Sequence, residues 1–252
     1  MTDPCNPITC PAYASGYCEY DFTTGQIMPM DPNCPLLKER YKMNQMNLNQ
    51  FMQDVHQNAI AHGWWEKERS AGTIRSLIHD ELSEALEEYR ADRPMVWKQC
   101  TDDDEPNIPC AKENCVDYCN GACDVDAMGS KPEGIAVELI DFAIRIFDYI
   151  AKLGMVLPAS MNTAQKLADW ALDDYQDDQD RNVLTLELPD LVDLLHDEVS
   201  LSSIMHNETY LTTAAGLAMA WVDHHGIDPV KILLEKHEYN KTRSYKHGGK
   251  VI

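Results

Sequence analysis

Two pairs of acids recur at helical spacing, Glu81-x-x-Glu84 and Glu138-x-x-Asp141. Residues three apart lie on the same side of a helix, so each pair projects two carboxylates in nearly one direction. Two such helices side by side would gather four carboxylates into one patch. That patch suits a hard, oxygen-seeking cation such as Mg²⁺, and Mg²⁺ in turn suits phosphate. Spacing alone is weak ground, because Asp and Glu fill 42 of 252 positions and such pairs recur by chance. A solvated acidic face is the competing reading, and the helix faces decide between them.

Turning about 100° per residue from Ile74, the residues Ile74, Leu77, Ile78, Leu82, Ala85, Leu86 and Tyr89 form one apolar sector. Glu81 falls inside it, with Glu84 and Glu88 on its edge. A carboxylate in the middle of a packing face needs a cation or a metal, since burying an unpaired charge is costly. From Ile135 to Ile150 almost every residue is apolar, and only Glu138, Asp141, Arg145 and Asp148 interrupt. These four occupy a stripe roughly 80° wide on the helical wheel. A surface helix shows the reverse proportion, a limited apolar stripe and a broad polar face. The narrow polar stripe is expected to wall an internal crevice.

The elements that must position these acids are helices. Apolar periodicity, with stops at glycine and proline, places helices at about 48–62, from about 74 to Arg90, and from 135 to Leu153. Further helices are expected at about 160–175, 189–206, 209–225 and 228–243. No alternating strand stands out, so the class is all-α, a helix bundle. Residues 1–37, rich in Pro and Cys, are expected to form an irregular extension before a domain spanning 38–252. A turn-rich, Cys-rich insertion is expected at about 95–133, between the two acidic helices. Leu77–Ser83 and Leu194–Ser200 match at five of seven positions. That echo suggests a tandem duplication, with the insertion lengthening the first copy and a degenerate second half at about 160–252. The second copy has Leu201 where the first has Glu84, and Tyr210 and Thr213 where it has Glu138 and Asp141.

A net charge of −21 repels nucleic acid polymers and acidic membranes and argues against both as partners. No apolar run approaches bilayer length, and the N-terminus lacks a signal-peptide pattern, so a cytoplasmic address is expected. From Lys231 to Ile252, six Lys/Arg face two acids, a basic tail suited to clamping a polyphosphate. The nine cysteines fall at or before Cys123. Cys110, Cys115, Cys119 and Cys123 form a dense group, but their spacing matches neither a zinc knuckle nor a bacterial ferredoxin. A structural Zn²⁺ there and plain thiols are both open readings, with a cluster behind zinc.

The chain resembles the MazG-like, all-α nucleoside triphosphate pyrophosphohydrolases, especially phage-encoded versions. The resemblance rests on His62-Gly63-Trp64-Trp65-Glu66, on Leu77–Arg90 with Glu81-x-x-Glu84, and on Lys131-Pro132-Glu133-Gly134. It continues through Glu138-Leu-Ile-Asp141 and the tail Lys236–Arg243 with Lys246–Lys250. It implies the all-α NTP pyrophosphatase fold, with Glu81, Glu84, Glu138 and Asp141 binding Mg²⁺ (Mn²⁺ as a substitute). Water then attacks the α-phosphorus of a (d)NTP, giving (d)NMP and pyrophosphate. Phosphoryl transfer needs charge neutralisation and a positioned water, which two adjacent metals held by carboxylates can supply. Glu81 or Glu84 is the candidate proton acceptor. Lys236, Asn240, Arg243, Lys246 and Lys250 are candidates for the β- and γ-phosphates. Arg145 is placed on a phosphate or in a pair with Asp141, and Trp64 or Trp65 on the base or in the core. A homo-oligomer, dimer or tetramer, is expected, and if the chain is phage-encoded its site of action is the host cytoplasm.

Two other readings stand beside this one. A dUTPase-like or dCTPase-like hydrolase shares the acidic-helix logic, and the base pocket is not legible in the sequence. A catalytically inactive metal-binding interaction protein would keep the acids as a remnant.

Overall fold

Side chains just ahead of four of the helices start them, and glycines just past the end stop several. Asn47 accepts the Gln50 amide at the start of α1 (Leu48–Ala61), and Ser70 accepts the Thr73 amide at the start of α2 (Ala71–Arg90). Thr163 caps α4 (Ala164–Asp174), and Asp228 caps α7 (Pro229–Thr242) with Pro229 in its first turn. Such caps satisfy amides that lack an intrahelical partner. Between these lie α3 (Ile135–Lys152), α5 (Leu188–Ile204) and α6 (Thr209–His224). In this computed structural model the described residues are 46–98, 131–175 and 182–246, plus the backbone of Glu19–Asp21 and Gln26–Met28. All nine cysteines, Lys250, the interior of the expected insertion and most of residues 1–37 lie outside them.

The described residues are mostly helical, as the periodicity requires, and each expected helix is present within a few residues of its expected ends. The chain divides into two units, Met1–Met46 and Asn47–Ile252. Four short strands depart from the expectation of none. β1 (Glu19–Asp21) pairs antiparallel with β2 (Gln26–Met28) inside the first unit. In the second, β3 (Trp97–Lys98) pairs antiparallel with β4 (Pro132–Glu133). Strands of two or three residues are too short to show alternation, which is why periodicity misses them. Among the described residues, no helix is long and apolar enough to cross a membrane.

α3 sits at the centre. It packs against α1, α2, α6 and α7, and 14 of its 18 residues are buried. Apart from Lys152 at its end, its least buried residues are Asp141, Arg145 and Asp148, so the polar stripe does face a crevice. On α2 the buried residues are Ile74, Ile78, Glu81, Leu82 and Ala85. The apolar sector is narrower than expected there, since Leu77 and Leu86 are half-buried and Tyr89 is 42 % exposed. Around α6 the arrangement repeats: α1 and α2 flank α3, as α4 and α5 flank α6, while α2 meets α5 and α3 meets α6.

The β3–β4 ribbon sits where the chain leaves and re-enters the bundle, with Trp97 opposite Glu133 and Lys98 opposite Pro132. Its return into α3 runs through Gly134, at φ 114°, where a Cβ would stand 2.7 Å from the carbonyl oxygens of both Pro94 and Met95. Only glycine fits that approach. The Ala136 amide then donates to the Met95 carbonyl at 2.9 Å, locking the start of α3 to the ribbon.

Candidate metal and phosphate site

Packing α2 directly on α3 brings the two acidic pairs together. Glu81 and Glu138 are 2 % and 3 % exposed, whereas Glu84 stands exposed. One carboxylate oxygen from each of Glu81, Glu84 and Glu138 lies within 4.8 Å of the others, close enough for one cation to touch all three. Asp141, the fourth acid, is held by Lys236, whose Nζ lies 2.8 Å from Asp141 Oδ2 and 3.8 Å from Glu138 Oε1.

Burial dominates the electrostatics. It pushes Glu81 up to about 7, against the pull of Arg145 and with help from Asp141 and Glu84. Burial also pushes Glu138 up to about 9, against Lys236, with Asp141, a hydrogen bond to Glu133 and Glu81 adding to it. Burial disfavours the Lys236 ammonium too, yet Asp141 and Glu138 outweigh it and hold its pKa above the ordinary lysine value. Carboxylates that resist ionising until a cation arrives are what a divalent-ion site built from buried acids should show.

Arg145 donates through Nε to Glu81. The sequence left it between a phosphate and Asp141; its hydrogen-bond partner is Glu81 on α2 instead. It keeps 41 % of its side chain exposed, so it can still turn to a ligand. Lys236 cannot. At 1 % exposure it is under the acids and out of reach of a phosphate in this arrangement.

Beside the acids, Asp141 and Arg145 also line a cleft of about 110 Å³. Trp64, Asn240 and Arg243 line it as well, as do His62, Trp65, Arg69 and His237. Arg69 lies over the Trp64 ring, 5.3 Å from its centroid. Trp65 donates through Nε1 to both Asp148 oxygens at 3.0 and 3.1 Å, and His56 Nδ1 is 2.6 Å from Asp148 Oδ1. Asn240 Oδ1 and His237 Nε2 are buried without a hydrogen-bond partner among the described residues.

The structure thus brings Trp64, Asp141, Arg145, Asn240 and Arg243 to one cleft, and Arg145 links that cleft to Glu81 and the cluster it forms with Glu84 and Glu138. It does not bring Lys246 there: its Nζ bonds Glu66 at 2.9 Å and its amide bonds the His62 carbonyl. Lys250 and the cysteines Cys110, Cys115, Cys119 and Cys123 are outside the described residues. Sequence reasoning missed Arg69 and the His56–Asp148–Trp65 network. Asp148 carried a signal, falling on the same stripe as Asp141 and Arg145, whereas Arg69 lies in an aperiodic turn and carried none.

In the echoed segment, Glu198, which matches Glu81 in sequence, is also buried, and burial and the nearby Asp174 raise it to about 7. Thr213, which a duplication would align with Asp141, donates to Asp174 at 3.2 Å. No protein-family model, curated protein or solved structure matches the chain.

Proposed function

We propose that this chain is a metal-dependent nucleoside triphosphate pyrophosphohydrolase, with the all-α NTP pyrophosphatase fold and a tandem duplication whose second half has lost most of its metal-binding acids. The observation that carries the reading is the convergence of Glu81, Glu84 and Glu138 within 4.8 Å, beside a cleft edged by Arg69, Arg145 and Arg243. In a protein of net charge −21, three arginines around one cleft mark a place for an anion. Repelling carboxylates next to it mark a place for the cation that accompanies a triphosphate.

The donor set fits Mg²⁺, with Mn²⁺ as a substitute: all oxygen, two of three carboxylates buried, and the third exposed. When bound, the ion supplies charge neutralisation at the phosphates and lowers the pKa of water. Glu81, Glu84 and Glu138 hold it, and Glu84, exposed and unpaired by any cation among the described residues, accepts the proton of the attacking water. The water oxygen bonds the α-phosphorus, the bond from that phosphorus to the bridging oxygen of the β-phosphate breaks, and pyrophosphate leaves. Arg145, Arg243 and Arg69 take the phosphate oxygens. Trp64, which lines the same cleft, takes the base.

A panel of (d)NTPs with Mg²⁺, resolving pyrophosphate from orthophosphate, tests the reading. Pyrophosphate from at least one substrate is expected. Orthophosphate with a diphosphate product rejects attack at the α-phosphorus, and no turnover across the panel favours an inactive binding protein.

A further inference from the structure

Lysine is rarely buried, because its flexible stem normally lets the ammonium reach water. Lys236 is buried nonetheless, and on the packing face of α7, alongside Ile232, Leu233 and His237. Its Nζ meets Asp141 at 2.8 Å, Glu138 at 3.8 Å and the Pro132 carbonyl at 3.5 Å. It lies in the acidic site as a cation would. Asp141, which it holds, is the one acid of the four outside the Glu81–Glu84–Glu138 cluster.

Charge balance gives this position a meaning. Without nucleotide, four ionised carboxylates face two cations paired to them, Lys236 on Asp141 and Arg145 on Glu81. Two negative charges remain, the charge of a single divalent ion. Glu133, the further acid hydrogen-bonded to Glu138, carries its own partner in Lys131. Buried charge is tolerated only when it is paired, so a second divalent ion would overcharge the site unless a lysine left.

We propose that Lys236 takes the place of a second metal ion, so that the site is complete with one divalent cation on Glu81, Glu84 and Glu138. Lys236 is then a positioning residue that fixes Asp141, rather than a phosphate ligand. The inference rests on the reading of the acids as a metal site and adds its stoichiometry.

The test counts Mn²⁺ bound to the full chain without nucleotide, by loss of the free-ion electron paramagnetic resonance signal. Wild type is expected to take one ion per chain. Lys236→Met, which keeps the length and removes the charge, is expected to take two, as Asp141 and Glu138 become free. Lys236→Arg should restore the count of one. Two ions on the wild type overturn the proposal without touching the hydrolase reading, and this count does not depend on any variant folding. A folded Lys236→Met with one ion at unchanged affinity and a raised KM for nucleotide would also overturn it, returning Lys236 to the phosphates. A wild type that binds no Mn²⁺ and releases no pyrophosphate rejects the underlying site instead.

Discussion

His79 and His196, 117 residues apart, place their Nδ1 atoms 2.7 Å from one another with their rings stacked. They occupy the same place in the echoed sequence, His79-Asp80-Glu81 and His196-Asp197-Glu198. Under the proposed duplication, this contact would lie on the axis relating the two copies. One imidazole must donate and the other accept, and burial holds both below the ordinary histidine pKa. A double-mutant cycle with His79→Ala and His196→Ala should give a coupling of roughly 1 kcal/mol in unfolding free energy. Additive losses would mean the two halves do not communicate through this pair.

Glu81→Gln should cut turnover by about 100-fold or more, as expected for loss of a group that sets charge at the reacting centre. The metal-free fold should be no less stable, because Gln removes a buried charge crowded by Asp141 and Glu84. Asp141→Asn should also abolish turnover by a different route: Lys236, deprived of Asp141, turns to Glu138 and takes it from the cation. Glu198→Gln in the second half should cost far less. Steady-state kinetics with thermal melts separates these outcomes.

Stability should depend on pH in opposite ways with and without metal. Glu81 and Glu138 have folded pKa values, about 7 and about 9, above those of the unfolded chain. The folded state keeps protons that the unfolded state gives up, so this contribution is full below the ordinary carboxylate range and is lost as pH rises through 7 and 9. Mg²⁺ binds the ionised carboxylates and should offset the loss. The rise in Tm on adding saturating Mg²⁺ should therefore be larger at alkaline pH than at mildly acidic pH. An equal rise at both would mean that these carboxylates are not the ligands.

Arg243→Ala and Arg69→Ala should each raise KM for the nucleotide by roughly 10- to 100-fold, the worth of a charged hydrogen bond to phosphate. Metal binding should be unchanged, because neither arginine forms an ion pair with the acids. Lys246→Ala should leave KM nearly unchanged, since that lysine is held by Glu66.

Replacing residues 100–124 with a short Gly/Ser linker should leave pyrophosphohydrolase activity measurable. The β3–β4 ribbon pairs Lys98 with Pro132, on either side of this segment, and closing a loop of different length costs little. Gly134→Ala, by contrast, should cost roughly 2–4 kcal/mol of stability, through a positive φ and two carbonyl contacts. Loss of activity in a folded deletion variant would show that the segment helps to build the site.

Helix ends and the acidic pairs were legible because caps, prolines and glycines are local signals, and because α3 is apolar on almost every side. The placement of Lys236 was not. On α7 alone it reads as one basic residue among several, and its burial depends on Asp141, on a helix 95 residues earlier in the chain. Arg145 shows the same limit: its partner Glu81 is 64 residues away, and nothing on its own helix distinguishes Glu81 from Asp141. The β3–β4 ribbon is set by closure of a long segment, a constraint that no four residues can display.

The central position of α3 also orders the motions of the molecule. Because α1, α2, α6 and α7 all rest on it, none of them can detach without exposing part of α3, and its amides should exchange with solvent only on global unfolding. Glu138 and Asp141 therefore ride on the slowest-opening segment. Trp64 and Arg69 stand on the turn between α1 and α2, where backbone hydrogen bonds are few. Glu138 and Asp141 are thus anchored in the core, while Trp64 and Arg69 are held to it chiefly through side-chain bonds of their neighbours, Trp65 to Asp148 and Glu66 to Lys246.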